Sequence, residues 1–69
     1  MKNFYLRLRL SVNASPEAIK RAYHQLAREA HPDSGSGDTD RFVALREAYT
    51  VLSDPGKRDE YDLQRAQWA

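Results

Sequence analysis

Ser15-Pro16-Glu17-Ala18-Ile19-Lys20-Arg21-Ala22-Tyr23-His24-Gln25-Leu26-Ala27-Arg28-Glu29-Ala30-His31-Pro32-Asp33 reads as one helix with a marked start, two unlike faces and a marked end. Ser15 suits the N-cap, where its hydroxyl satisfies a first-turn N–H that has no partner inside the helix. Pro16 fits the first helical position, because its ring presets φ and the N–H it lacks would have been unpaired there anyway. Glu17 puts a negative charge near the positive end of the helix dipole. Ile19, Ala22, Tyr23, Leu26, Ala27 and Ala30 then recur at three-and-four spacing and share one side of the helix. Lys20, Arg21, His24 and Arg28 cluster on roughly the opposite side. Pro32 disfavours helical geometry at His31, so a helix over residues 16–30 is predicted to stop at or just before that histidine.

Working outward toward the C-terminus, Ser34-Gly35-Ser36-Gly37-Asp38 has little to bury and reads as a flexible loop. Phe42, Leu45, Ala48, Tyr49 and Leu52 then fall on one face of a second helix, over about residues 41–53. A loop this short predicts that the two helices pack antiparallel, with the Ile19/Leu26 face against the Phe42/Leu52 face. Asp54-Pro55 repeats the cap-then-proline signal and opens a short charged helix, from Pro55 to about Leu63, that turns Tyr61 toward the core. Toward the N-terminus, residues 3 to about 9 form a short helix whose Phe4, Tyr5 and Leu8 cover one end of the pair. The expected fold is all-α, four helices in a single domain over residues 1–69, with a central antiparallel pair and short terminal helices.

Composition narrows the classes of function. A 69-residue chain hides only about 60% of the surface its unfolded form exposes, so its stability margin is slim. It has no cysteine, hence no disulfide framework or thiolate metal cluster, and the fold must rest on packed apolar side chains. Eleven Lys plus Arg against ten Asp plus Glu leave a formal charge of +1, too balanced to announce a nucleic-acid or membrane partner. Arg7 and Arg9 interrupt Phe4, Tyr5, Leu6, Leu8 and Leu10, which breaks any signal-peptide apolar run. No stretch approaches a membrane-spanning length. A cytoplasmic monomer is the expectation.

His31-Pro32-Asp33 stands between a basic helix and a Gly/Ser loop, followed by an amphipathic helix and then Leu52-Ser53-Asp54-Pro55-Gly56-Lys57-Arg58. Ala18-Ile19-Lys20-Arg21-Ala22-Tyr23, Glu47-Ala48-Tyr49 and Tyr61-Asp62 complete the series. The tripeptide alone is a weak signal, but the segments together, from about residue 3 to 62, resemble the J domain of DnaJ-type co-chaperones. The resemblance implies a module that docks on a DnaK-type 70-kDa heat-shock chaperone and stimulates its ATP hydrolysis to promote client capture. It implies a partner-binding surface of Lys20, Arg21, His24, Arg28, His31, Pro32 and Asp33, with Tyr23 at its edge. It also implies no covalent chemistry by the chain itself, no cofactor and no metal. Departures from the family pattern are Ser34 after the tripeptide, Ala30 before it, Gln25 and Glu29 at positions that are often basic, and Arg9 where a glycine is usual after the first helix.

The residues suit these roles physically. A carboxylate such as Asp33 on a fixed turn can accept paired hydrogen bonds from a partner's arginine. Pro32 lowers the entropy lost on docking, and exposed cations steer an acidic partner in a salt-dependent way. Against this stand plainer readings: a helix-ending turn at His31, a solvated charged face offset by Glu17 and Glu29, and packing as the main task of Tyr23. Zinc held by His24, His31 and Asp33 lacks ligand spacing, and hydrolysis lacks an activated nucleophile. The rival from another class is a helix-turn-helix nucleic-acid binder. It fails on geometry, since the connection over residues 31–38 is too long and the basic face lies on the wrong helix. A J-like scaffold that has lost chaperone stimulation is the remaining alternative.

Overall fold

Ser15 caps the helix that its sequence announces. In the computed structural model, which describes residues 3–31 and 39–68, its Oγ accepts the Ala18 N–H at 3.1 Å. The described residues form four helices, α1 (Phe4–Arg7), α2 (Pro16–Ala30), α3 (Thr39–Leu52) and α4 (Pro55–Trp68), and contain no strand. Pro32, Asp33 and the predicted loop over residues 34–38 lie outside the described residues.

Helices α2 and α3 run antiparallel. Tyr23, midway along α2, stacks on Tyr49 near the end of α3, whereas Glu29 and His31 at the end of α2 lie near Arg41 and Phe42 at the start of α3. Ile19, Leu26 and Ala30 of α2 are buried with Leu45, Ala48 and Leu52 of α3. Phe42, expected inside with them, is only half-buried. It sits in the first turn of α3, at the end of the pair where the chain leaves α2, and packs beside His31. Helix α3 touches α1, α2 and α4, and is therefore the element around which the others gather.

At the N-terminus the helix is shorter than residues 3–9. Asn3 is its cap, accepting the Leu6 N–H at 3.0 Å. It ends in a Schellman turn: the Arg9 N–H donates to the Leu6 carbonyl and the Leu10 N–H to the Tyr5 carbonyl, both at 2.9 Å. That turn needs a left-handed residue, and Arg9 adopts it with φ 57°. Leu10 then packs against the core.

At the C-terminus the correction goes the other way. Helix α4 spans 14 residues to Trp68 instead of ending near Leu63. Gln64, Arg65, Ala66 and Gln67 are all able helix residues with no breaker among them, so the helix continues after its apolar periodicity has ended. Asp54 caps it, its Oδ1 accepting the Gly56 and Lys57 N–H groups at 2.9 and 3.2 Å.

Helices α1 and α4 are joined by side chains. Phe4 and Tyr61 stack with centroids 4.7 Å apart, and the Tyr61 hydroxyl accepts the buried Phe4 N–H at 3.0 Å. The Tyr5 hydroxyl donates to Asp62 at 2.6 Å and accepts from Arg58 Nε at 3.1 Å. Arg58 Nη2 also donates to the Val12 and Ala14 carbonyls at 3.2 and 2.8 Å, which ties down the α1–α2 connection. Burial first, and then the hydrogen bond to Asp62, push the Tyr5 hydroxyl pKa above its ordinary value, with Arg58 partly opposing. On the other side of α1, Arg7 Nη1 donates to the Ala44 carbonyl at 3.2 Å and to Glu47 at 2.9 Å. Among the described residues, every buried side-chain nitrogen or oxygen has a hydrogen-bond partner.

Candidate functional site

The side of α2 turned away from α3 carries the predicted cations. Lys20, Arg21, His24 and Arg28 are all exposed. Together with Glu17, Gln25 and Glu29 they line a shallow open strip along the helix. From Lys20 to Arg28 the strip covers about 12 Å, at about 1.5 Å per residue. Its three permanent cations outnumber its two carboxylates, so a net positive field faces solvent. Such a field steers an acidic partner more than it anchors one.

At its C-terminal end the strip runs into His31. This residue is the C-cap of α2, with φ −59° and ψ 134°, the extended geometry that a following proline imposes. The imidazole is exposed and meets the Phe42 ring edge-on, with centroids 5.4 Å apart and planes at 82°. Tyr23, His24, Ala27, Arg28, His31 and Phe42 together line a second open hollow. His24 and Arg28 border both surfaces, so strip and hollow form one continuous face.

Tyr23 is half-buried and stacks on Tyr49 at 4.2 Å with planes at 10°, while its ring also meets His24 at 5.8 Å. Packing is thus its visible task, with one edge on the hollow. The structure brings Lys20, Arg21, Tyr23, His24, Arg28 and His31 onto one face. Pro32 and Asp33, the rest of the predicted site, lie outside the described residues.

Two features of this face escaped the sequence reading. Phe42 read as core because it begins the apolar series of α3, yet it is a wall of the hollow. Its place at the very start of the helix predicted over residues 41–53 was the available signal. Arg41 reaches from α3 to within 3.9 Å of Glu29, which brings a second helix to the margin of the strip. No signal at sequence level joined those two residues.

Among the described residues no cluster of three or more His, Cys, Asp or Glu side chains is placed to hold a metal ion. No helix among them is long and apolar enough to cross a membrane.

Comparison with known proteins agrees with this architecture. The chain is 54% identical over 71 aligned residues to chaperone protein DnaJ 1 of Mycobacterium tuberculosis and of Mycobacterium bovis, covering 99% of this chain and 18% of each relative. It is 52% identical over 68 residues to chaperone protein DnaJ 2 of Corynebacterium glutamicum, covering 94% of this chain and 17% of that relative. The chain therefore spans under a fifth of the length of the relatives it matches. Residues 3–62 match the family model described as DnaJ domain. That match takes in α1, α2, α3 and the first half of α4, and by it the chain belongs to the DnaJ domain family.

Proposed function

We propose that this chain is a co-chaperone module that docks on a DnaK-type 70-kDa heat-shock chaperone and stimulates its ATP hydrolysis. The observation that carries the reading is the continuity of one face. Lys20, Arg21, His24 and Arg28 lead along α2 to an exposed His31 at the point where the helix ends. The cations attract an acidic patch of the partner at long range, and the His31-Pro32-Asp33 tripeptide makes the short-range contacts that raise the partner's hydrolysis rate. The chain itself forms and breaks no covalent bond. Its contribution is to favour the partner's hydrolysis-competent state, which requires tighter binding to that state than to the others.

The family match over residues 3–62 and the DnaJ relatives support this choice of partner class. The test is steady-state ATP hydrolysis by a purified DnaK-type chaperone, with and without the chain, over a range of salt. Stimulation that rises with chain concentration and weakens as salt is added is the expected result. No stimulation at low salt contradicts the reading.

A further inference from the structure

We propose that Glu29 is a specificity-determining residue whose carboxylate limits how strongly an acidic partner is held on this face; the proposal deepens the docking reading above and rests on it. The strip on α2 consists of two rows of residues at i, i+4 spacing. Lys20, His24 and Arg28 form one row, and Glu17, Arg21, Gln25 and Glu29 form the other. The first row carries no carboxylate and borders the hollow through His24 and Arg28. Charge along the second passes from Arg21 through the neutral Gln25 to Glu29, so that row turns negative beside the end where His31 stands.

Local electrostatics do not account for a carboxylate at position 29. Glu29 lies in the last turn of α2, where the helix dipole presents its negative end and a cation is the stabilising choice. Glu17 is the contrast, a carboxylate in the first turn, where the dipole favours it. Across the α2–α3 seam, Arg41 Nη2 stands 3.9 Å from Glu29 Oε2, but the two side chains are 42% and 53% exposed. A pair so open to water contributes little to stability. Glu29 is not part of the buried cluster either. A residue set against its local field, with no share in the core, is placed for what it meets outside the fold. There its charge repels the carboxylates of an approaching partner. An acidic patch is thereby drawn to the Lys20 row, beside the hollow, and held less tightly overall. Repulsion of this kind discriminates among partners that the cations alone attract equally.

The test uses the 69-residue chain as wild type, Glu29→Gln, Glu29→Lys and Glu17→Gln, each verified as folded by thermal unfolding. ATP hydrolysis by a purified DnaK-type chaperone is titrated with each chain at about 0.1 M salt, where exposed charges are screened over about 10 Å, and again at severalfold higher salt. The readout is the concentration that gives half-maximal stimulation. Glu29→Gln is expected to lower it about 1.5- to fivefold, the range of one exposed charge interaction, and Glu29→Lys to lower it further. Both gains shrink at the higher salt. Glu17→Gln makes the same change in net charge as Glu29→Gln, but about 18 Å back along the helix, beyond the screening length from the His31 end. It is expected to move half-saturation less. An equal gain in Glu17→Gln overturns the proposal, since net charge alone then sets the affinity. Unchanged or weaker half-saturation in Glu29→Lys overturns it, as does a change confined to maximal stimulation or a gain that salt leaves intact. A wild type without any stimulation at the lower salt marks the failure of the docking reading itself, and the proposal falls with it.

Discussion

Arg9 occupies the left-handed position of the turn that ends α1, with φ 57°. A side chain there brings Cβ too close to the backbone, at a cost of roughly 1–2 kcal/mol, which glycine avoids. Glycine gives back about 0.4–1 kcal/mol through the entropy of the unfolded chain. Arg9→Gly is therefore expected to stabilise the fold by roughly 0.5–1 kcal/mol, read as a rise of a few degrees in Tm by circular dichroism. A lower Tm contradicts the strain argument. Tyr5 gives a second test at this scale. Its folded pKa is raised above the ordinary 10.0 by burial and the Asp62 hydrogen bond, so the folded state binds the phenolic proton more tightly than the unfolded state does. The stability this supplies is complete below about pH 10 and is lost as pH rises through the folded value. Tyr5→Phe removes that group and is expected to flatten the alkaline fall of Tm. On the proposed docking face, Arg21 is exposed, and Arg21→Glu is expected to leave Tm within the range of surface changes, about 0.5 kcal/mol. The same variant is expected to weaken binding to a DnaK-type chaperone at low salt and to flatten its salt dependence, read from titrations at several salt concentrations.

At the scale of elements, what was legible in the sequence is what short-range chemistry decides. Ser15-Pro16 and Asp54-Pro55 mark helix starts because a cap acts within three residues, and both caps form the hydrogen bonds expected of them. The Asp54→Ala variant is expected to cost about 1 kcal/mol, with the loss confined to hydrogen-exchange protection at the start of α4. Helix ends were less legible. The early end of α1 depends on a left-handed arginine that no residue preference announces, and α4 continues past Leu63 on helix propensity alone. Arg58 joins Tyr5, Val12, Ala14 and Asp62 across as many as 53 residues of chain, a convergence that no local pattern encodes. The face of α2 was legible because its cations repeat with the helix period, while the contribution of Phe42 depends on how α3 is set against α2. Leu26 is 5% exposed in that seam. Leu26→Ala is expected to cost about 2–5 kcal/mol, as deletion of a buried leucine leaves a cavity. Chemical denaturation at constant temperature measures it.

The molecule as a whole separates its packed core from the face proposed for docking. Buried aromatic and aliphatic side chains of α1, α3 and α4 and the inner side of α2 hold the fold, while the outer side of α2 and its end at His31 stay exposed. A domain of this size has a small margin, roughly 0.05–0.15 kcal/mol per residue, so a face used for docking must be one whose substitution leaves the core untouched. His31 meets that condition: it is exposed, beyond the last turn of α2, and not part of the buried cluster. Its replacement is expected to change stability by no more than about 0.5 kcal/mol. The most direct measurement pairs thermal unfolding with single-turnover ATP hydrolysis by a DnaK-type chaperone, for the wild type and for His31→Gln. Native-like melting together with lost stimulation is expected of the variant. A folded His31→Gln that stimulates as well as the wild type contradicts it.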